Sequence, residues 1–564
     1  MDQSPPDYRS FLILGLLVIS AISLKVYQNI QPVFANWYYL NRTMILFILA
    51  IFIFFVGLVL TKKITLHLKS KKFDQEITNG KKEDSVYAGK TITGENVYIN
   101  LSFRRMHAQV VGTTNAGKTE SVIVPWAIDD IEKGRGLIII DGKADQVLLH
   151  KLYAYAAENN RTKDFRVFTL SDYKLSHTFN PLINDSVDQT TEKIINSFAI
   201  ENEYYRTVQF DIFRNVLSIF KSAEEYPTFL KIRQAIIDPA KLQILADRGQ
   251  NKVLQEWTVD FLNTGKETRK EQVSGLLGNL GYFTSGEVGS LFNTENPTMT
   301  IQQIMNEGLI AFFQLPVLKS PMLGKAVAKM VLQDIQSNVS VRHASGKDDH
   351  QFIGVYLDDF TEYLTKSFVS VLNKSRSANV GVTFSHQAIG DLEGLGPEVK
   401  NQIQTNTNLK VFMRTNEPDS AEYFSKTIGT KLAQKTTNRQ KQGLIGVEVT
   451  ADGSVRDVEE FMVHPNTFKN GLGQGEAILV LPHAKGSKSV RIKFGIRKNL
   501  KSLKIPEIYK PEPELLKTAA YVLKPNINSG IDVIQNYAMQ AATQNLNTDL
   551  EANLKNNKTT GGKV

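Results

Sequence analysis

Ala108-Gln109-Val110-Val111-Gly112-Thr113-Thr114-Asn115-Ala116-Gly117-Lys118-Thr119 is the stretch whose reading decides the fold of this chain. A short apolar run ends in Gly-x-x-x-x-Gly-Lys-Thr, and Glu120 to Ile131 then reads as helix, the strand–loop–helix setting a phosphate-binding loop requires. Gly112 and Gly117 let the backbone curl so that successive N–H groups face phosphate oxygens, and the helix start adds its positive end. Lys118 then reaches the terminal phosphates and the Thr119 hydroxyl completes a Mg²⁺ shell, with Thr113, Thr114, Asn115 and Ala116 forming the rest of the cradle. Two residues fit imperfectly. Gln109 is polar for a buried strand, and Pro125 is expected to kink or shorten the helix.

Such a loop needs a second strand that ends in an acid to hold the metal, and two candidates present themselves. One is Leu137-Ile138-Ile139-Ile140-Asp141; the other is Phe352-Ile353-Gly354-Val355-Tyr356-Leu357-Asp358-Asp359. The twin carboxylates favour the second, with Asp358 on the metal and Asp359 polarising the attacking water. Asp141 is expected to cap its strand, while Gly142-Lys143 beside it approaches the nucleotide. Downstream, Val380-Gly381-Val382-Thr383-Phe384-Ser385-His386-Gln387 reads as a buried strand with a polar tip. Gln387 is placed there to sense the γ-phosphate, because ligands gather at strand C-termini in such sheets. Arg376, on an expected helix from Glu362 to Ser377, is a candidate arginine finger to a neighbouring subunit, or else a solvated helix-end arginine.

Outward from the loop, apolar runs at Phe165–Leu170, Gly308–Leu315, Phe352–Leu357, Val380–Ser385 and Leu409–Arg414 alternate with helical patterns such as Leu323–Val339 and Pro418–Ile428. This alternation predicts a mostly parallel α/β sheet covered on both faces. From about Asp185 to Tyr282 the rhythm changes. Val208, Ile212, Val216 and Ile219, then Phe229, Ile232 and Ile236, then Val253, Trp257 and Phe261 recur at helical spacing. The stretch reads as an all-α lobe inserted in the sheet, with its aromatics in the core. Thr430 to Ile496 carries β-like runs at Gly443–Thr450, Ala477–Leu481 and Val490–Ile496, with turns expected at Asp452-Gly453 and Lys485-Gly486, and is expected to finish the sheet edge. The expected partition is a membrane anchor over 1–63, an ATPase domain over 64–184 and 283–505, the all-α lobe over 185–282, and a tail over 506–564 with an amphipathic segment at Gly530–Leu550.

The N-terminus carries two apolar runs, Phe11–Leu24 and Thr43–Leu60, near the length needed to span a bilayer. Trp37, Tyr38 and Tyr39 suit the headgroup layer just before the second. Lys62, Lys63, Lys69, Lys71 and Lys72 follow it, whereas the loop from Gln28 to Arg42 carries Arg42 alone, so positive charge orients both ends toward the cytoplasm. A cleaved signal peptide and a buried core hairpin are the competing readings of these runs.

The whole chain has 564 residues, 42% hydrophobic and 22% charged, which excludes bulk disorder and leaves room for several domains. A net charge of +9 mildly favours an anionic partner. There is no cysteine, which rules out disulfides, Cys-ligated zinc, iron–sulfur clusters and thiol nucleophiles.

Taken in order, the paired apolar runs, the loop in Val111–Thr119, Ile140-Asp141-Gly142-Lys143, the all-α insertion, Leu357-Asp358-Asp359-Phe360, Arg376 before Phe384-Ser385-His386-Gln387, and Val411-Phe412-Met413-Arg414-Thr415-Asn416 followed by Ala421 and Ile428-Gly429 resemble the coupling proteins of bacterial type IV secretion, the TraD/TraG-type conjugation ATPases. The resemblance implies a RecA-like P-loop ATPase core on a two-helix transmembrane hairpin in the bacterial inner membrane, with the ATPase in the cytoplasm. It implies a homohexamer that delivers relaxase-bound single-stranded DNA, or protein substrates, to the secretion channel. The implied cofactors are ATP and Mg²⁺. The implied roles are Lys118 and Thr119 for nucleotide and Mg²⁺, Asp358 for metal, Asp359 for water activation, Gln387 as sensor and Arg376 as finger in trans. Where the family usually has Glu, this chain has Asp359, one methylene shorter. A double-stranded DNA translocase of the FtsK/HerA kind shares the core but typically brings a linker and winged-helix module, for which the stretch after Pro506 is expected to lack room. A membrane receptor that uses nucleotide only as an assembly switch is the other reading.

Overall fold

A computed structural model describes residues 84–508 apart from 347–349, 366–367, 444–445, 484–485 and 502, together with scattered residues between 20 and 61. The chain divides into two units, Met1–Ile77 and Thr78–Val564. Of the two apolar runs expected to span a membrane, Phe11–Leu24 falls mostly and Thr43–Leu60 in more than half of its residues outside the described residues, and the amphipathic segment at 530–550 falls wholly outside them. Among those described, no helix is long and apolar enough to cross a membrane.

Thirteen strands are described: β1 (Ser85–Thr91), β2 (Asn96–Asn100), β3 (Ala108–Val111), β4 (Gly136–Asp141), β5 (Phe165–Thr169), β6 (Ile310–Gln314), β7 (Ile353–Asp358), β8 (Val380–His386), β9 (Leu409–Phe412), β10 (Thr430–Gly443), β11 (Gly446–Phe461), β12 (Glu476–His483) and β13 (Gly486–Phe494). Eleven of them form one sheet in the order β2-β1-β13-β12-β9-β3-β8-β7-β4-β6-β5. From β9 to β5 every pairing is parallel. The strands β3, β4, β7 and β8 are buried along their whole length, as expected where helices cover both faces and the runs are apolar throughout. Parallel pairing brings the C-terminal ends of β3, β8, β7 and β4 to one edge, and that edge carries the site.

The other flank is antiparallel. β12 pairs with β9, β13 with β12, β1 with β13 and β2 with β1. The expected hairpin at Lys485-Gly486 is the β12–β13 connection, with His483 opposite Gly486. The strands β1 and β2, just ahead of the phosphate loop, had no signal in the alternation pattern.

Two expectations on this side are corrected. Not all of Thr430–Ile496 joins the sheet edge: β10 and β11 pair only with each other as a separate ribbon. Asp452-Gly453 is not a turn but lies inside β11, where the register slips between Asn438 opposite Gly453 and Gln440 opposite Val449. The Asp-Gly pair that suits a tight turn equally suits the kink of a bulge.

Between β5 and β6 the chain runs through helices Val187–Ser197, Glu203–Ser222, Phe229–Ile237, Pro239–Arg248, Lys252–Asn263 and Lys266–Gly281, then two short ones, Gly286–Phe292 and Ile301–Glu307. Side-chain caps start the first five of these. Ser186 and Gln189 form a reciprocal capping box, and Asn202, Thr228, Asp238 and Asn251 each accept from a first-turn N–H. Phe229 stacks on Phe283 with centroids 4.5 Å apart and both are fully buried. Each such ring buried adds roughly 1.5–3 kcal/mol of transfer free energy, so these aromatics are core rather than a base-stacking platform.

Glu362–Ser377 is not one helix. A 3₁₀ turn spans Phe360–Tyr363, and the helix is confined to Phe368–Lys374. The chain must first leave the tight turn at Asp359 before an α-helix can start.

Candidate functional site

The phosphate loop is tied to both neighbouring strands. Gly112 N–H donates to His386 O (3.3 Å) at the end of β8, and Thr113 N–H donates to Arg414 O (2.8 Å) beyond β9. A Cβ on Gly112 would come within 2.8 Å of the Met413 Cβ. Gly117 has φ +98°, and a Cβ there would meet Ser121 Oγ at 2.9 Å. Both glycines are therefore required by close approach or backbone conformation.

After Thr119 the helix opens with a π-turn over Thr119–Ile123, closed by Val124 N–H to Thr119 O, before regular α-helix from Val124 to Glu132. Pro125 sits in the first turn of that α segment. The residue has no N–H to offer and its ring crowds the preceding turn, so the helix widens for one turn rather than breaking.

Lys118 Nζ lies under the loop, donating to Gly112 O (2.6 Å) and Thr113 O (3.3 Å). Burial lowers its pKa, against the opposing pull of Asp359 and Asp358. Thr119 Oγ1 donates to Asp358 Oδ2 at 2.7 Å. The other oxygen of Asp358 accepts from Ser385 Oγ at 2.6 Å, and the residue is only 2% exposed. Thr119, on the helix after β3, and Asp358, at the tip of β7, are thus fixed across β8, which supplies Ser385 between them.

Asp141 stands directly opposite Asp358 in the sheet but is not on Thr119. Its two oxygens accept from its own turn, Lys143 N–H at 2.9 Å and Asp145 N–H at 2.6 Å. Burial raises its pKa to about 6 despite those two donors, and the Asp358 charge adds to the rise. Lys143 Nζ lies 2.6 Å from Asp359 Oδ2 and 3.9 Å from Asp358 Oδ2. Burial disfavours its charge, but the hydrogen bond with Asp359 and the charges of Asp358 and Asp359 outweigh this and raise the pKa.

Gln387 is brought to the loop by β8, where Thr114 Oγ1 donates to its Oε1 at 3.3 Å. Its backbone is held by Asp391, whose Oδ2 accepts from Gln387 N–H (2.9 Å) and Ala388 N–H (3.0 Å). Arg376 is not brought to this site. It is exposed in the turn that enters β8, at the opposite end of the strand from Gln387, where its charge reaches the buried His107 ahead of β3.

Sequence reasoning missed a buried polar chain behind the loop. Lys410 Nζ on β9 donates to Gln109 Oε1 (3.3 Å) on β3, and Gln109 Nε2 donates to His386 Nε2 (3.0 Å) on β8, whose Nδ1–H donates to Ala388 O (2.7 Å). Burial pushes the His386 pKa down to about 4 and that of Lys410 to about 8, so the imidazole is neutral at physiological pH, as this pattern of one donor and one acceptor nitrogen requires. The only signal was Gln109 itself, a polar residue where the strand pattern calls for an apolar one.

Loop, acidic strand tip, the Gln387 amide at the end of β8 and the parallel sheet fit a RecA-like P-loop architecture. Two family models match the chain: "Type IV secretory system Conjugative DNA transfer" over residues 60–216 and "TraM recognition site of TraD and TraG" over residues 353–466. The chain is 22% identical over 492 residues to the type 4 coupling protein DotL of Legionella pneumophila, a match that covers 75% of this chain and 61% of that protein's length. Among solved structures it resembles the bacterial conjugative coupling protein TrwBdeltaN70 in unbound form, with TM-score 0.56, 13% identity, and coverage of 74% of this chain and 91% of that one. TrwB in complex with ADP and Mg²⁺ superposes with TM-score 0.53 at 13% identity, covering 73% and 90%. At these identities the structural likeness is one of fold. The resemblance to type IV secretion coupling proteins drawn from the sequence is borne out by these matches.

Proposed function

We propose that this chain is the coupling ATPase of a type IV secretion system, which uses Mg·ATP hydrolysis to drive relaxase-bound single-stranded DNA into the channel. The observation that carries the reading is the 2.7 Å contact between Thr119 Oγ1 and Asp358 Oδ2, with Lys118 already under the loop. Mg²⁺ takes few protein oxygens and completes its octahedron with phosphates and water; a hydroxyl and a carboxylate oxygen side by side fit that demand. Thr119 and Asp358 would hold Mg²⁺ there, and the ion would supply neutralisation of the charge that develops in transfer.

The chain's own residues supply the rest. Residues 112–119 present backbone N–H groups to the phosphates, and Lys118 leaves the loop carbonyls to contact the terminal phosphate. Asp359 orients and accepts a proton from the attacking water, and Gln387 contacts the γ-phosphate side from the tip of β8. The coupling proteins named above support the transport reading, as does the net charge of +9. The two N-terminal apolar runs anchor the protein in the inner membrane, with residues 64–505 in the cytoplasm.

Arg376 lies exposed at the end of β8 away from its own loop, and its proposed role is that of a finger in trans to a neighbouring subunit of a homohexamer. Mixing Arg376→Ala subunits with Lys118→Ala subunits is expected to restore part of the activity that each homogeneous preparation lacks, because some interfaces then pair an intact loop with an intact finger. Absence of rescue in demonstrably mixed oligomers removes the finger role.

The functional test uses full-length protein in nanodiscs. ATP turnover is expected to rise when single-stranded DNA is added at low salt. Affinity is expected to fall steeply with salt and to differ little between unrelated sequences, since contacts to the backbone release condensed counterions and carry no base readout. A preparation that hydrolyses ATP but neither binds nor responds to DNA shifts the cargo to protein.

A further inference from the structure

The turn after β4, expected from the sequence to approach the nucleotide, is given no part in the hydrolysis proposed above. Ala144 at φ 59° and Asp359 at φ 46° both adopt the left-handed conformation, which residues bearing a Cβ enter at a cost. The two are linked by one ion pair, Lys143 Nζ to Asp359 Oδ2 at 2.6 Å. The same ammonium lies 3.9 Å from Asp358 Oδ2, so a single cation stands against both adjacent carboxylates. The Lys143 side chain is 52% exposed, and an ion pair of that exposure adds little to stability. Fold stability therefore does not explain why two backbone positions are held in an unfavourable conformation to bring these groups together.

The rest of the turn serves the same end. Asp141 is 1% exposed and spends both oxygens on the N–H groups of Lys143 and Asp145. Asp145 in turn caps the helix Gln146–Glu158 through Val147 N–H and Leu148 N–H. The path of Lys143 is thus set by a buried carboxylate on one side and a helix start on the other. On the opposite strand tip, Asp359 N–H donates to Ser385 Oγ (3.3 Å), the same hydroxyl that donates to Asp358.

We propose that Lys143 is a positioning residue for hydrolysis: its ammonium group holds the Asp359 carboxylate in line with the attacking water, and Asp141 fixes the turn that delivers it. The inference rests on the assignment of Asp359 as the water-activating group.

The test compares full-length wild type, Lys143→Met, Lys143→Arg, Asp359→Asn and the Lys143→Met/Asp359→Asn double variant in nanodiscs, by steady-state ATP turnover and by binding of a fluorescent ATP analogue. Lys143→Met is expected to lower kcat about 10- to 100-fold, the scale of a misplaced catalytic group. Its KM for Mg·ATP is expected to stay within about twofold of wild type, since the interaction lost belongs to the chemical step. Lys143→Arg, which keeps the cation, is expected to recover most of the rate. In the Asp359→Asn background Lys143→Met is expected to cost little further, because the carboxylate that it pairs with at 2.6 Å is gone. A merely structural role predicts instead a shifted unfolding midpoint and no recovery by arginine.

A wild-type kcat in Lys143→Met, an equal loss in both backgrounds, or a loss confined to KM overturns the proposal while leaving the ATPase reading in place. A wild-type protein that binds the analogue without turning over ATP overturns both.

Discussion

Lys118→Ala is expected to abolish ATP turnover, with a loss of at least about 10²–10³-fold in kcat, the scale seen when one preorganised charge-stabilising donor is removed. Nζ donates to Gly112 O and Thr113 O, which places the ammonium group beside the backbone that is proposed to hold the phosphates. Alanine leaves those two carbonyls to water at a partly open site. The glycines, the strand ties through His386 O and Arg414 O, and the π-turn do not depend on the lysine, and the variant is expected to keep its unfolding midpoint within a few degrees. Turnover at the wild-type rate would falsify the assignment of this loop as the nucleotide site.

Asp358→Asn is the second large effect. An asparagine there accepts from only one of Ser385 and Thr119, and its NH₂ group can donate to the other hydroxyl, which keeps the strand tip folded. It replaces a charged metal oxygen by an amide, and Mg²⁺-dependent turnover is expected to fall by about 10² or more. Asp141→Asn is expected to be milder. Asp141 touches neither Thr119 nor Lys118, but its carboxylate bridges two backbone N–H groups. An amide cannot accept through both atoms, and one charge-assisted hydrogen bond of about 1.5–3 kcal/mol is lost. The expected outcome is lower stability and partial activity. Measured turnover of the two variants over a Mg²⁺ titration decides the order, and a more severe Asp141→Asn would mean that β4, not β7, carries the metal acid.

The ranking of those two acids shows how far the sequence could be read. Both strands end in Asp, and both were legible as buried parallel strands because an unbroken apolar run is a local property. Asp358 was favoured only because a second carboxylate follows it. What separates the two acids physically is that β8, from a distant part of the chain, lies beside β7 and presents Ser385 to Asp358, while the turn after β4 consumes Asp141. Likewise Gln109 read as an awkward residue in its strand. Its partners are Lys410 and His386, which become neighbours only because β9 and β8 flank β3. The Glu362–Ser377 helix failed for a related reason, since apolar spacing alone gives no warning of the left-handed turn at Asp359 that precedes it.

The amino-acid sequence by itself determined the phosphate loop, the parallel strands, the helical character of the segment between β5 and β6, and the identity of Lys118, Thr119, Asp358 and Gln387 as candidates. Glycine positions, apolar runs and helical spacing act over a few residues and need no knowledge of neighbours. Tertiary structure alone decided that Thr119 meets Asp358, that Lys143 meets Asp359, that Arg376 lies at the far end of β8 from the loop, and that β10 and β11 leave the sheet. Each of these follows from strand order and from the direction in which a strand tip points. Those are set by the burial of the whole sheet, a property of the folded chain that no short stretch of sequence contains.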